Sequence, residues 1–260
     1  MAWFPGAIRK EVKRHRTAMA RYRGICNHVA VSEAASLFNY FNQSGNPTSH
    51  FYVRKDGKVE QYVDTVYVAP CQLDGNETML SIETQGGVNN PDSEPWTAAQ
   101  CETLAQLAAW VHKLHGISLK GMPNSLSAST GVGYHRLGID PWRVPNGELW
   151  SNAYGKICPG TGKIAQIPGI ITRANQLTTG DDGAMAWTDA QIEEHLANQR
   201  KLIQLTEAQE YNATETRKNT SLTATRLDSV ANQQLPDLRG DVEEIKKNTT
   251  PEAEPEPPKP

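Results

Sequence analysis

The stretch HFYVRKDGKVEQYV, residues 50–63, contains two β-rich runs that are joined by Asp56 and Gly57. An Asp-Gly pair between such runs is a strong hairpin signal, because both residues tolerate the positive φ angles of a tight turn. The stretch therefore predicts a β-hairpin. The segments on both sides of it are predicted to alternate between strands and helices. Together with these segments, the antiparallel hairpin indicates a mixed α/β fold.

Strand-like and helix-like segments flank the hairpin. Residues 23–31 are short, apolar and β-branched, as a buried strand would be. Apolar residues then recur at helical spacing over residues 32–42, where Ser32 is placed to act as an N-cap. Residues 79–84 are a further strand candidate, which ends at two glycines. The pattern is mixed α/β with an antiparallel hairpin.

The clearest helix is predicted over residues 97–115. Thr97 and Gln100 form a capping-box pair at its start, and Gly116 ends it. The segment that follows is rich in glycine and proline and reads as irregular, and long irregular segments often line functional sites. An amphipathic segment over residues 164–177 closes the globular part of the chain.

The chain changes character after the globular part. Acidic side chains outnumber basic ones from Met185 onward, and the final residues are rich in proline and glutamate. We therefore divide the chain into a globular domain over residues 1–180, a helical or coiled-coil-like appendage over 181–250 and a disordered end over 251–260. The appendage is compatible with a homo-oligomer that forms through the tail.

Charge and hydropathy narrow the range of partners. The body is nearly neutral, and phosphate binding normally requires a concentrated basic face, so nucleic acid is not expected as a partner. The basic run from Arg9 to Arg23 is interpreted as a solvated helix face, and weak attraction to an anionic polymer such as a bacterial wall is the alternative. No apolar run is long enough to span a bilayer, so stable membrane insertion is not expected. The start of the chain does not resemble a signal peptide, which predicts synthesis in a cytoplasm.

Three separated residues are candidates for a metal site. The four cysteines are far apart and form no CxxC pair, which favours reduced thiols. In YGKICPG, residues 154–160, proline and glycine follow Cys158 directly and restrict its position. Together with His28 and His135, this thiol could supply the two imidazoles and one thiolate of a catalytic zinc site. A structural zinc site would need a fourth protein ligand, for which Cys26 is a candidate.

Five motifs occur in the order CNHVAVS, SHFYVRKDGKVEQYV, LSIETQGG, GYHRLG and GKICPG. In this order they resemble the zinc-dependent N-acetylmuramoyl-L-alanine amidases of phage endolysins and the peptidoglycan recognition proteins. The likeness extends from about residue 24 to about residue 174. It implies that residues 1–180 form a zinc amidase catalytic domain, with a central mixed β-sheet flanked by helices.

The resemblance also implies a function. Such a protein cleaves the amide between N-acetylmuramic acid and L-alanine in bacterial peptidoglycan. A phage endolysin is made in the host cytoplasm and acts at the cell wall after membrane permeabilisation. A non-catalytic peptidoglycan-binding module of the same fold is the alternative, although such members typically lose the cysteine ligand.

Site residues follow from the same resemblance. It implies three ligands for Zn²⁺: His28, His135 and Cys158. Glu83 matches an acidic residue that acts as the general base, and Lys156 matches a catalytic lysine beside the developing oxyanion. Some members pair this lysine with a tyrosine, but Ser49 stands at that position here, which favours Glu83 as the base.

Two alternatives remain open from the sequence. His50 lies near the hairpin start and is a rival ligand or base, although the resemblance places it just outside the metal set. The insert between His135 and Cys158 contains Trp142, Arg143 and Trp150. Its indole rings are expected to pack on the body or to stack on a sugar, with packing favoured, and its arginine adds a charged donor.

Overall fold

The structure is a computed structural model of the chain. It describes residues 2–179, 212, 215–216, 219–221, 223 and 241–248. The chain divides into two compact units, Met1–Arg200 and Lys201–Pro260. In the second unit, the described residues are helical, including 241–248. Most of the predicted appendage and all of the predicted disordered end lie outside the described residues, so the domain division stays a prediction.

A six-stranded mixed β-sheet forms the centre of the first unit. Its strands are β1 (Ala7–Arg9), β2 (Gly24–Asn27), β3 (Phe51–Val53), β4 (Val59–Gln61), β5 (Met79–Thr84) and β6 (Gly131–Tyr134). The strand order is β1-β4-β3-β5-β2-β6. The pair β3 and β4 is antiparallel, and the other four neighbouring pairs are parallel. The hairpin and the mixed sheet that the sequence predicts are therefore confirmed.

Four α-helices accompany the sheet in the described residues of the first unit. They are α1 (Phe38–Phe41), α2 (Ala98–His115), α3 (Thr161–Ile164) and α4 (Ile167–Thr179). At the start of α2, the Thr97 hydroxyl accepts a hydrogen bond from the Gln100 N–H, and the Gln100 side chain bonds back to complete the capping box. Gly116 ends α2 in the left-handed conformation. No helix of the described residues is long and apolar enough to cross a membrane.

Different parts of the chain pack on the two faces of the sheet. Successive side chains of a strand point to opposite faces. On β2 and β5, Ile25 and Leu80 belong to the core that also contains buried residues of α2 and α4. Their neighbours Cys26 and Met79 instead pack in a separate cluster with Trp150. The long helices therefore cover one face, and loops and turns build the other face.

The predicted helix over residues 32–42 is wrong in its first half. The observed helix α1 spans Phe38–Phe41 and has no side-chain cap. Ser32 forms an antiparallel bridge with Gly86, in which each backbone N–H donates to the other residue's carbonyl. The backbone of Ser32 is therefore committed to sheet-like pairing, and its local capping preference is overridden.

Two further interpretations of the sequence are corrected. Residues 2–23 contain no helix, and their basic side chains include Arg9 and Arg16, which pair with Glu11, so the run is not a helix face. The segment after α2 is not irregular throughout, because it contains β6. Its glycines hide this strand from sequence patterns, since glycine disfavours strands in isolation.

Gly131 at the start of β6 is required by its surroundings. Its φ is +126°, and a Cβ placed there would lie 2.2 Å from the Lys120 carbonyl oxygen. A side chain would thus strain the backbone and collide with a rigid group. Gly121 is a matched control, because a Cβ there meets nothing within 4 Å.

We predict that Gly131→Ala lowers the free energy of unfolding by about 1–3 kcal/mol or more, the cost of a strained backbone position. Gly121→Ala should change it by less than about 0.5 kcal/mol. Chemical denaturation of both variants measures the difference. Equal stability of the two variants would contradict the assigned conformation of β6.

Candidate metal centre

The register of three neighbouring strands brings the central residues together. Asn27 on β2 pairs with Ile82 on β5 and with Tyr134 on β6. These pairs are parallel, so the next residue of each strand lies at the same edge of the sheet. Those residues are His28, Glu83 and His135. Carboxyl ends of adjacent parallel strands are a common place for functional sites, and here they gather two histidines and a carboxylate.

Cys158 reaches this edge from the loop after the insert. Its carbonyl oxygen accepts a hydrogen bond of 2.9 Å from the Arg136 N–H, one residue beyond His135. Its Sγ lies 3.4 Å from the backbone nitrogen of Val29, which donates to it. Both contacts join Cys158 to backbone next to the histidines. The position of this thiol is therefore fixed by hydrogen bonds to the backbone beyond β2 and β6, as well as by the proline and glycine that follow it.

Three of the predicted site residues form one compact group. His28, His135 and Cys158 are buried, and one ligand atom from each lies within 4.8 Å of the other two. The two imidazole rings are 4.3 Å apart between centroids. Two nitrogens and one sulfur at this spacing can hold a metal ion.

The hydrogen bonds of His135 determine which ring nitrogen is free. Its Nε2 lies 2.8 Å from the carbonyl oxygen of Trp150. A carbonyl oxygen can only accept a hydrogen bond, so Nε2 carries the hydrogen and the neutral ring has its lone pair at Nδ1. This Nδ1 is buried and has no hydrogen-bond partner among the described residues. An unpartnered buried nitrogen is costly unless something binds it.

Burial keeps all three groups of the cluster neutral. It lowers the pKa of His135 to about 4, and the positive charge of Lys156 acts in the same direction. Burial and the neighbouring His135 push the pKa of His28 well below its usual value. Burial also raises the pKa of the Cys158 thiol to about 12. A divalent cation would reverse this last effect, because a thiol that coordinates a cation is deprotonated.

Glu83 stands directly beside this group. Its Oε1 is 3.9 Å from Nδ1 of His28 and lies 3.6 Å from the Cys71 thiol, which donates to it. Its Oε2 is buried and finds no partner in the described part of the chain. Burial raises the pKa of Glu83 to about 7, against the opposing charge of Lys156. The carboxyl group is thus suited to accept and release a proton near neutral pH.

Lys156 and Cys71 complete the surroundings of Glu83. Lys156 is exposed on the loop before Cys158, and its charge acts on both histidines and on Glu83. Cys71, which the sequence patterns missed, lies with His28 and Glu83 in a second group whose ligand atoms are within 4.8 Å of one another. The Asp-Gly pair at residues 74–75 signals a turn after Cys71, but no motif in the sequence marks the contact of this thiol with Glu83.

His50 is a structural histidine. It is fully buried, and its Nδ1 accepts a hydrogen bond of 3.1 Å from the Ser81 N–H. Its Nε2 then carries the hydrogen and lies 2.9 Å from the Tyr67 carbonyl oxygen. Both nitrogens are therefore used, which leaves no lone pair for a metal or for proton transfer.

Cys26 also stays apart from the cluster. It packs with Met79, Met122 and Trp150, and neither of the two groups that could hold a metal among the described residues includes it. A structural site with Cys26 as a fourth ligand is thus not supported.

The aromatic residues of the insert have different roles. Trp150 is 1% exposed and packs on the body, where its Nε1 donates to Glu148. The favoured packing interpretation is confirmed for this ring, and its backbone carbonyl orients His135. Trp142 is 42% exposed and lies with its ring 5.2 Å from the Arg136 guanidinium. Arg143 forms an ion pair with Asp140 within the insert.

Comparisons with solved structures find proteins that are described as an N-acetylmuramoyl-L-alanine amidase, a hydrolase and a peptidoglycan recognition protein. The chain is 18% identical to the N-acetylmuramoyl-L-alanine amidase LysC from Clostridium intestinale URNW, with a TM-score of 0.44, and the match covers 64% of this chain and 97% of that one. It is 14% identical to the hydrolase AmiA of Staphylococcus aureus, with a TM-score of 0.49 and coverage of 68% and 87%. It is 13% identical to the Drosophila peptidoglycan recognition protein SA, with a TM-score of 0.42, and this match covers 62% of this chain and 91% of that one.

No curated protein matches the chain in sequence at a significant level. A family model described as N-acetylmuramoyl-L-alanine amidase matches residues 13–161. This match covers more than half of the 260 residues and includes every residue of the cluster. The chain therefore belongs to the N-acetylmuramoyl-L-alanine amidase family.

Proposed function

We propose that this chain is a zinc-dependent peptidoglycan hydrolase that cleaves the amide between N-acetylmuramic acid and the L-alanine of the stem peptide. One observation carries the proposal: Nδ1 of His135 is buried, has no partner in the described part of the chain and stands beside His28 and Cys158, with the carboxyl group of Glu83 next to them. We further propose that it acts as a phage endolysin. In that role it is made in the host cytoplasm and reaches the wall after membrane permeabilisation.

The donor set fits zinc. His28, His135 and Cys158 would be its ligands, and two imidazoles with one thiolate are a combination that zinc prefers. Three protein ligands leave a fourth position open, as catalytic zinc sites do. Zinc, when bound there, supplies Lewis acidity, which lowers the pKa of a bound water towards about 7 and polarises the scissile carbonyl.

Glu83 would move the proton. Its carboxylate takes a proton from the attacking water and then passes it to the departing amide nitrogen of L-alanine, so that the amine leaves as a neutral group. The burial that raises its pKa to about 7 places it where it can both accept and donate at neutral pH. The thiol of Cys71 holds one carboxylate oxygen in place.

Lys156 would stabilise the negative charge that develops on the carbonyl oxygen during attack. Its charge already acts on Glu83 and on both histidines across a poorly solvated region. A fixed positive charge near a developing oxyanion lowers the barrier most where water is excluded. The exposed position of Lys156 lets it approach a substrate that lies over the cluster.

Digestion of purified peptidoglycan tests the proposal as a whole. The enzyme should release new N-terminal L-alanine, with no new reducing sugar ends. Binding to peptidoglycan without any cleavage would identify a recognition module instead. Cleavage of a different bond would reject the assigned substrate position.

We predict that Cys158→Ser abolishes both zinc binding and cleavage, because a serine hydroxyl stays protonated and is a poor zinc ligand. Metal analysis of the purified protein beside amidase turnover measures both. Cys101→Ser is the control, because Cys101 lies on α2 outside both candidate metal groups of the described residues. Full zinc content and activity in Cys158→Ser would show that the assigned site is wrong.

We predict a different failure for Glu83→Gln. All three proposed ligands remain, so zinc should stay bound while turnover falls by about 10²–10⁴-fold, as for a lost general base. Lys156→Ala should keep the metal and lose a smaller part of the rate. Glu60→Gln is the matched control, since Glu60 is a buried carboxylate that pairs with Lys10 on another part of the sheet. Normal turnover in Glu83→Gln would move the base to another residue.

We predict that Trp142→Ala weakens substrate binding and leaves zinc content unchanged. Its exposed ring offers a stacking surface, and loss of such a contact raises KM by about 3–10-fold. Tyr40→Ala removes an equally exposed aromatic ring from α1 and should leave KM as it is. Steady-state kinetics on soluble muropeptides compares the two, and an unchanged KM in Trp142→Ala would exclude this ring from the substrate site.

A further inference from the structure

Gln72 is a fully buried side chain that joins His28 to the backbone of β5. Its Oε1 lies 3.3 Å from Nε2 of His28, and its Nε2 lies 3.2 Å from the carbonyl oxygen of Met79. Gln72 and His28 are 44 residues apart in the chain. The mechanism proposed above does not use this amide.

The chemistry of these atoms determines where the hydrogens lie. The Met79 carbonyl can only accept, so the NH₂ end of the Gln72 amide must face it. The oxygen end of the amide then faces His28, and it too can only accept. Nε2 of His28 must therefore carry the hydrogen. The lone pair of the neutral ring is left at Nδ1, on the side of Glu83.

The other tautomer would close the site. With its hydrogen at Nδ1, His28 would have no lone pair on the side of Glu83, whose Oε1 lies 3.9 Å from Nδ1. Nδ1 would then be unable to bind a metal. The amide of Gln72 opposes this tautomer, because the lone pair at Nε2 would then face the oxygen of the amide.

A locked turn holds Gln72 in this position. Oδ1 of Asn76 accepts hydrogen bonds from the backbone N–H groups of Cys71 (2.9 Å) and Gln72 (2.8 Å). The Asp74 N–H donates to the carbonyl oxygen of Leu149, and the Asp74 carboxylate accepts from the Leu149 N–H. Leu149 precedes Trp150, whose carbonyl orients His135. One turn thus supports both histidines.

We propose that Gln72 is a positioning residue that holds His28 in the tautomer with hydrogen at Nε2 and so presents Nδ1 to the metal. The consequence for metal affinity rests on the proposed function. The tautomer itself is a property of the metal-free protein and can be measured separately. Outer hydrogen bonds of this kind typically change metal affinity by about 10–100-fold.

The test is long-range proton–nitrogen NMR of the metal-free protein labelled with ¹⁵N-histidine, combined with zinc affinity from competition with a chromophoric chelator. Gln72→Met keeps the shape of the side chain but removes both polar groups. We expect His28 to lose its exclusive Nε2–H form in this variant and zinc affinity to fall by about 10–100-fold. Gln72→Glu retains an acceptor for Nε2–H and should retain the tautomer and most of the affinity.

Gln61→Met is the matched control. Gln61 is also fully buried and hydrogen-bonded to backbone, namely to Phe4, Ala2 and Val63, and it does not touch the cluster. This variant should lose stability without a change in the His28 tautomer or in zinc affinity.

Three outcomes would overturn the proposal. The first is hydrogen at Nδ1 of His28 in the native protein, which needs no variant to detect. The second is a Gln72→Met variant with native tautomer and affinity, and the third is equal loss of affinity in Gln61→Met. Absence of zinc binding by a native protein with hydrogen at Nε2 would instead reject the proposed function and leave the tautomer assignment intact.

Discussion

Carbonyl oxygens accept hydrogen bonds and never donate them, and two such oxygens set the chemistry of this site. The Trp150 carbonyl bonds directly to His135, and the Met79 carbonyl acts on His28 through the amide of Gln72. Each interaction fixes the hydrogen at Nε2 and leaves a lone pair at Nδ1. In a buried region that disfavours charge, a fixed lone pair is what allows a neutral imidazole to bind a cation.

This arrangement depends on the order and register of the sheet. The parallel pairing of β5, β2 and β6 places Glu83, His28 and His135 side by side at a common edge of the sheet. Their side chains point away from the face that the long helices cover. A shift of one residue in either pairing would turn His28 or Glu83 towards the helices. The buried Arg23 lies at the other end of β2, where it pairs with Glu148 and thereby holds the segment that leads to Trp150, whose carbonyl bonds to His135.

Local chemistry accounts for the parts of the fold that the sequence predicts well. The turn at Asp56-Gly57 and the capping box at Thr97 involve residues that are close in the chain. By contrast, β6 pairs with β2, which is distant in the chain, and its glycines conceal it from sequence patterns. Ser32 has a side chain suited to a helix cap, but its backbone pairs with Gly86, which is distant in the chain. A local sequence pattern cannot predict that pairing.

The site likewise contains residues that sequence motifs identify and residues that only the structure reveals. The motifs around His28, His135 and Cys158 identify the candidate ligands from a family resemblance, and the structure brings them together. Gln72 carries no motif, and its contact with His28 spans 44 residues. Such supporting residues are specified by the completed fold, so a pattern within one segment cannot reveal them.

Anomalous X-ray diffraction at the zinc absorption edge, from crystals grown with zinc, tests the central claim most directly. The account predicts one strong peak within bonding distance of Nδ1 of His28, Nδ1 of His135 and Sγ of Cys158, with both Nε2 atoms still hydrogen-bonded. A peak bonded to an Nε2 atom, a peak at another place or no peak at all would contradict it.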